Sequence, residues 1–251
     1  MDAALYATYA RAEDAHWWFR ARRRIVADVI DGLGLPRAAR LLEMGCATGG
    51  NLDLLGRYGT LDAVEMDAGA VAYAQSRETG AAIYQGHLPD ALPDEIGDSY
   101  DLITLLDVLE HIPDDSASLD ALYRLTAPGG VLLVTVPAYQ WLWSAHDVVN
   151  HHQRRYRRSS VTRLIRAAGF AIERATYFNT LLFPLVAGAR TVGKLAERVL
   201  GSKEIESDID TIPAGPVNRA LETVFAFERR VVSRLSVPFG VSILIVARRP
   251  A

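Results

Sequence analysis

Carboxylates and small residues fall where they could hold a nucleotide-like ligand. The stretch "LLEMGCATGGNL", Leu41 to Leu52, ends an apolar run in Glu43 and continues with small residues at 45, 47, 49 and 50. Such residues let a backbone turn sharply and approach a ligand closely. Gly45-x-Ala47-x-x-Gly50 reads as a relaxed dinucleotide fingerprint, Gly45-x-Ala47-x-Gly49 as a different cofactor loop, and the stretch alone leaves both open. Glu65 follows Glu43 by 22 residues at the end of a second apolar run. A carboxylate there suits a ribose diol, because it accepts from both hydroxyls. Asp107 stands at the tip of "YDLITLLDV".

Further along, "WLWSAHDVVNHHQRRYRR", residues 141–158, gathers three of the chain's six histidines with Trp141 and Trp143. An imidazole here can take the proton from an acceptor hydroxyl or amine. His146, with Asp147 beside it and aromatics before it, is the preferred base, and His151 is a second candidate. For His151 and His152 the plainer reading is a loop whose Arg and Tyr side chains pin the next helix. In "HWWFRARRR", residues 16–24, three consecutive aromatics cannot all face one core. Trp17 and Trp18, with Trp141 and Trp143, are therefore expected at a substrate pocket. Arg20, Arg22, Arg23 and Arg24 would be the counter-charges for an anionic acceptor.

Composition narrows the classes. With 251 residues and half of them apolar, the chain can build a substantial core, and a net charge of −3 gives no reason to expect nucleic acid. The single cysteine, Cys46, excludes an internal disulfide framework and fits a reducing cytoplasm. Cys46 itself reads as a small apolar filler beside the turn. No signal-peptide layout opens the chain, and no apolar run reaches the ~18 residues of a membrane span. Glu110 and His111 stand side by side, but adjacent helical residues diverge by about 100°. No second pair has metal-ligand spacing, so no metal is expected.

The elements that must position these residues alternate. A helix is expected over 4–32, then strands at "ARLLEMG", "LDAVEMD", "AAIYQG", "YDLITLLDV", "VLLVTVP", "AIERATYF" and "GVSILIVARR". Helices are expected at 51–58, at "AGAVAYAQSRETG", at "SASLDALYRLTAPGG", and at "SSVTRLIRAAGF" with Ser159 or Ser160 as N-cap and Gly169 at its end. Strand–helix alternation predicts a doubly wound α/β sheet whose crevice lies at the carboxyl ends of the strands.

Together, "LLEMGCATGGNL", "LDAVEMDAGAVAYA", "YDLITLLDVLEHIPD", "LTAPGGVLLVTVPA" and "HHQRRYRRSSVTRLIRAAGF" resemble the class I S-adenosylmethionine-dependent methyltransferases. The likeness is to the small-molecule type of ubiquinone and menaquinone biosynthesis and of natural-product pathways. It runs in that family's order from about 41 to 178. The resemblance implies a Rossmann-like seven-stranded sheet with the last strand antiparallel, and S-adenosyl-L-methionine as cofactor, leaving as S-adenosyl-L-homocysteine. It also implies that Glu43, Gly45, Cys46, Ala47 and Gly49 form the loop around the methionine part. Glu65 would hold the ribose, Met66 would lie against the adenine, and His87 and Leu88 would meet the adenine edge. Asp107 and Val108 would border the sulfonium and the acceptor, with Asp107 counted among the catalytic residues.

The implied activity is methyl transfer to a small-molecule acceptor, at oxygen rather than nitrogen or carbon. A catalytically inactive cofactor-binding or tethering module is the alternative. An NAD-dependent oxidoreductase fits worse, because Pro-Gly-Gly and "LDVLEH" have no role in it. The chain divides into an N-terminal helical cap (1–36), a cofactor-binding core (37–178), a helical insertion between strands six and seven (179–238) and a final strand (239–251). The insertion reads as two helices around the acidic "SKEIESDIDTIPAGP", both lying above the crevice. In its first helix Arg190, Lys194 and Arg198 form a basic stripe beside an apolar face. A lid, a homodimer interface or a peripheral membrane contact through 181–200 would each use such a face, and the chain would be a monomer or homodimer. Ala47 stands where the resembling family usually has glycine. Ala47→Gly should therefore keep S-adenosylhomocysteine affinity unchanged or slightly higher by calorimetry, and a large loss would refute this reading of the loop.

Overall fold

The computed structural model describes the backbone of residues 3–200 and 212–251 and the side chains of 6–193 and 212–251. Strands β1 (Ala39–Met44), β2 (Gly59–Glu65), β3 (Ala82–Gln85), β4 (Tyr100–Leu106), β5 (Thr126–Pro137), β6 (Ala171–Phe178) and β7 (Ser242–Arg248) form one sheet. Its order is β3-β2-β1-β4-β5-β7-β6, with β7 antiparallel to both neighbours and the other pairings parallel. This is the doubly wound sheet expected.

The helices are α1 (Ala3–Ala15), α2 (Trp17–Ile30), α3 (Leu52–Leu55), α4 (Ala68–Ser76), α5 (Asp115–Leu125), α6 (Ala145–Val149), α7 (Arg158–Ala167), α8 (Phe183–Leu200), α9 (Gly215–Phe227) and α10 (Arg229–Val232). Because side chains alternate along a strand, each central strand feeds two apolar layers. Leu41, Ala63, Leu102, Leu133 and Leu244 pack with side chains of α2, α3, α4 and α9 on one face. Leu42, Val64, Ile103, Val134 and Ile245 pack with those of α5 and α7 on the other.

Several boundaries differ from expectation, each for a local reason. The N-terminal helix is broken at His16, which is extended (φ −72°, ψ 135°) and caps α2 by accepting from Trp18 N at 3.2 Å. The helix expected at 51–58 shrinks to one turn, α3, ending at Gly56. Thr126 leaves helical geometry, so "TAPGG" begins β5 instead of ending α5. In that turn Gly129 adopts φ 77°. Arg157 is the N-cap of α7, and Ser160 lies one turn in, accepting from Arg157 N at 3.0 Å. Gly169 does end that helix, at φ 104°.

The insertion's first helix lies at the crevice, where Leu185, Val186 and Ala189 of α8 line the cavity, but its second helix docks elsewhere. Its second helix is split into α9 and α10 at Glu228, and α9 packs on α2. Asn218 joins the two segments: its Oδ1 accepts from Trp17 N at 2.9 Å and its amide donates to Ala15 O at 2.9 Å. Arg20 and Arg24 both meet Glu222, at 3.2 and 2.7 Å. The stripe on α8 also changes, since Arg190 turns inward and donates to Leu142 O at 2.8 Å. The side chains of Lys194 and Arg198, and residues 202–211 of the acidic segment, lie outside the described residues. No described helix is long and apolar enough to cross a membrane.

Phe225 ties the insertion to the core: it is fully buried, with Phe178 and Trp17 each at 5.9 Å between ring centroids. Phe225→Ala should cost about 3–5 kcal/mol in urea unfolding. A loss under about 1 kcal/mol would mean that α9 docks independently of the core.

Candidate functional site

The turn after β1 is held by its neighbours. Gly45 (φ 73°), Ala47 (φ 48°) and Gly49 (φ 87°) are all left-handed. Gly45 N and Cys46 N both donate to Val64 O, at 2.7 and 3.2 Å. A Cβ on Gly45 would stand 2.6 Å from a methyl of Val108, so the loops after β1 and β4 meet only because position 45 has no side chain. Ala47 bears the cost of a positive φ that glycine would avoid.

Glu65 locks this loop to the end of β2. Its Oε2 accepts from Ala47 N at 2.9 Å and its Oε1 from Asp67 N at 3.0 Å. Each oxygen keeps a second lone pair for a hydroxyl. Next to it Met66 is an apolar side chain left 68% exposed. Glu43 lies beneath the loop, 1% exposed, with Asn51 donating to Oε1 at 2.8 Å and no partner on Oε2. Burial pushes its pKa up to about 7, against the opposing Asn51 hydrogen bond and the Arg22 charge.

Above the turn, α1 brings Glu13 onto Thr48, whose hydroxyl donates to it. Burial raises the Glu13 pKa as well, although Thr48 and the nearby arginines pull it down. Tyr6 donates to Asp67 at 2.5 Å and Arg77 meets Asp14 at 3.1 Å, so α1 is fastened over the same end.

At the tip of β4, Asp107 is left-handed (φ 60°) and its Oδ2 accepts from Thr135 Oγ1 at 3.0 Å and from Arg22. Arg22 is buried, lies 4.7 Å above the Trp18 ring, and also donates to Leu106 O. Of the four arginines expected as counter-charges, Arg22 alone lines the cavity; Arg20 and Arg24 are committed to Glu222.

The far wall is rich in imidazole. Ser144 and Asp147 cap α6, Ser144 N donating to Asp147 Oδ2 at 2.8 Å. That cap turns the Asp147 carboxylate inward and away from His146. Asp147 is fully buried and accepts from Arg155 Nε (2.6 Å), Arg155 Nη2 (2.9 Å) and His152 Nδ1 (2.9 Å). Burial alone would raise its pKa, but the His152 and Arg155 hydrogen bonds override it and hold the group well below the carboxylate range. The carboxylate next to His146 in sequence is thus bonded to His152 and Arg155. His146 lies instead against Asn150, whose amide is 3.2 Å from Nδ1. Arg154 and Tyr156 do pin the chain, both reaching Asp115, at 2.7 and 2.8 Å.

Glu110, His111 and His152 offer atoms that all lie within 4.8 Å of one another. Spacing along the chain could not reveal this grouping, because His152 arrives from a different loop. These groups are close enough to share a proton or a cation. Burial drives the Glu110 pKa well up, with the Asp107 charge adding to it, and lowers that of His111 to about 4 with His152 opposing its protonation. With one nitrogen of His152 already bonded to Asp147, the group has one fewer atom to offer a cation, which favours proton sharing.

One cavity of about 1170 Å³ joins these parts. Of the residues expected at the cofactor, Gly45, Cys46, Ala47, Glu65, Met66, His87, Leu88, Asp107 and Val108 line it, whereas Glu43 and Gly49 lie behind its wall. His146, Trp17, Trp18 and Trp143 also line it. His151 is exposed and outside it, and so is Trp141, which packs with Tyr139 and Phe183 at 6.0 and 6.1 Å. Sequence reasoning missed Tyr9, Glu13 and Arg190 in the lining, and preferred the wrong neighbour for Asp147. The Ser144-x-x-Asp147 spacing carried the signal for that last pair.

Glu43 gives a signed pH prediction. In the unfolded chain it ionises near its ordinary 4.5, and in the fold only near 7. The unfolded state thus loses its proton first, so stability falls as pH rises through this window and is level above it. Relative to wild type, Glu43→Gln should gain on the order of 2–3 kcal/mol between about pH 5 and about pH 8 in urea unfolding. A difference independent of pH would show that Glu43 ionises alike in both states.

Residues 18–175 match the family described as methyltransferase domain. The chain is 30% identical over 95 residues to a ubiquinone biosynthesis O-methyltransferase of Pseudomonas entomophila, covering 36% of this chain and 41% of that protein. It is 29% identical over 165 residues to a probable S-adenosylmethionine-dependent methyltransferase of Mycolicibacterium smegmatis, covering 64% and 62%. The chain therefore spans less than half the length of the ubiquinone-biosynthesis relative it matches. In fold it is similar to a TehB-like methyltransferase of Corynebacterium glutamicum, with TM-score 0.57 and 15% identity over 99% of this chain and 98% of that one. With more than half its length matched and the strand order 3-2-1-4-5-7-6 in place, the chain belongs to the methyltransferase-domain family, the S-adenosylmethionine-dependent class I methyltransferases.

Proposed function

We propose that the protein transfers a methyl group from S-adenosylmethionine to a small-molecule acceptor, oxygen being the favoured nucleophile. The observation that carries this reading is the single cavity of about 1170 Å³, with the Gly45–Glu65 loop at one end and aromatic and imidazole side chains at the other. Pockets for one small ligand run to about 300–1,000 Å³, so this one has room for a cofactor and an acceptor together. The residues present fit the cofactor. A Cβ at Gly45 would close the cradle, Glu65 keeps lone pairs for a diol, and the partnerless Oε2 of Glu43 lies behind the loop.

When bound, the cofactor supplies a methyl group on a positively charged sulfur, already a good leaving group. What remains for the chain is alignment, water exclusion and proton handling. Gly45, Cys46 and Ala47 would follow the methionine part, Glu65 the ribose, and Met66, His87 and Leu88 the adenine. Trp17, Trp18 and Trp143 would flank the acceptor. Asp107 and Val108 stand between the two ends, and the Arg22 ion pair keeps Asp107 from wandering. An apolar, aromatic acceptor chamber with imidazoles on its wall suits a hydroxylated aromatic or isoprenoid-like molecule.

Calorimetry tests this directly. S-adenosylhomocysteine should bind and NAD should not; the reverse would overturn the proposal. Glu65→Ala should weaken S-adenosylhomocysteine binding roughly ten- to a hundredfold while the protein stays folded. Unchanged affinity would remove Glu65 from the ribose site.

A further inference from the structure

We propose that His152 is the general base of the acceptor site and that Asp147 positions it, an assignment that rests on the methyl-transfer reading above. The imidazoles lining the cavity include His146, His111 and His152. His152 carries a carboxylate on Nδ1, Asp147 Oδ1 at 2.9 Å. That bond places the proton of the neutral ring on Nδ1 and leaves Nε2 as a bare lone pair on the opposite edge. Asp147 cannot drift, since Arg155 grips both its oxygens, Ser144 N donates to it, and Arg190 stands at 3.5 Å.

Two carboxyls, Asp147 and Glu110, and two imidazoles, His111 and His146, stand around the His152 ring. Asp147 faces it directly, at the cost of sharing its negative charge with Arg155 and Arg190. That sharing makes Asp147 a positioning residue more than a source of basicity. The His111 ring meets His152 edge-on at 4.6 Å between centroids, and His146 does so at 5.8 Å. His111 is held neutral by burial, so it does not compete for the proton. Glu110, on the same side, is fully buried with neither oxygen partnered.

The step balances as follows. A lone pair of the acceptor oxygen forms the bond to the methyl carbon, and the carbon–sulfur bond breaks with its electron pair staying on sulfur. The hydroxyl proton passes to Nε2 of His152, giving an imidazolium whose Nδ1–H still points at Asp147. Water regains that proton after product leaves. The sulfonium charge thus ends as a proton on His152, and no oxidant or second reactant is needed.

The test uses the full-length chain, with S-adenosylmethionine and 3,4-dihydroxybenzoate as a phenolic probe, and variants His152→Gln, His146→Gln and Asp147→Asn. His152→Gln should lower kcat about a hundredfold or more, with KM and S-adenosylhomocysteine affinity changed less than about twofold. It should also lose the acidic limb of the wild-type pH–rate profile. His146→Gln should lower kcat at least about tenfold less than His152→Gln does. Nitrogen-15 spectra of the S-adenosylhomocysteine complex should show the His152 proton on Nδ1, and a mixture of tautomers in Asp147→Asn. Near wild-type turnover by His152→Gln, or a proton on Nε2 of the neutral ring, overturns the assignment. So does activity that is lost to a chelator and restored by a divalent cation. If wild type binds S-adenosylhomocysteine but leaves the probe unmethylated, the phenolic acceptor is rejected and the tautomer alone decides on His152. If S-adenosylhomocysteine does not bind, it is the methyl-transfer reading that falls.

Discussion

Gly45 and Val108 face each other where the sheet reverses its winding, and the distance between them governs the rest of the site. Parallel strands β1 and β4 are neighbours, but their crossovers run to opposite sides, so the loops after them part and leave a crevice. At its floor the loops touch, close enough that one added carbon would collide. That contact fixes the spacing of the two loops. Glu65 reaches back to brace the β1 loop, and Arg22 reaches across from α2 to brace Asp107 after β4.

Buried charge is handled differently at the two ends of the cavity. Around the β1 loop, Glu43 and Glu13 are deep, sparsely bonded carboxyls whose pKa burial raises. Across the cavity, Asp147 is deep but surrounded by donors, and it stays ionised. The physical difference is the number of N–H groups supplied, since a buried carboxylate survives only when its lone pairs are occupied. The first arrangement leaves Oε2 of Glu43 without a donor. The second is complete already, which is why it can hold another side chain rigidly.

The sheet, the small-residue turn and Glu65 were readable because they rest on local patterns: apolar runs, a glycine where φ is positive, a carboxylate at a strand end. "AIERATYF" became β6 residue for residue. What was not readable depended on side-chain direction in short elements. His146 and Asp147 are adjacent in sequence, yet one turn of helix sends them to different partners. The aromatic cluster at 141–143 divides for the same reason, Trp143 lining the cavity and Trp141 packing on Tyr139 and Phe183. Arg22 finding Asp107, 85 residues later, leaves no trace in spacing at all. Both insertion helices were expected above the crevice, but amphipathicity does not say which surface a helix covers; α8 lines the cavity and α9 covers α2.

That last contact has a consequence for how the chain is made. Asn218 bonds to backbone atoms of Ala15 and Trp17, some 201 residues earlier. At a synthesis rate of about 5–20 residues per second, α2 waits roughly 10–40 s on the ribosome before its partner helix emerges. During that interval the side of α2 carrying Trp17, Arg20 and Arg24 has no helix to cover it, although the cofactor loop and most of the sheet are already present. Completion of the N-terminal region thereby waits for α9, and a chain that terminates before α9 leaves that aromatic surface bare.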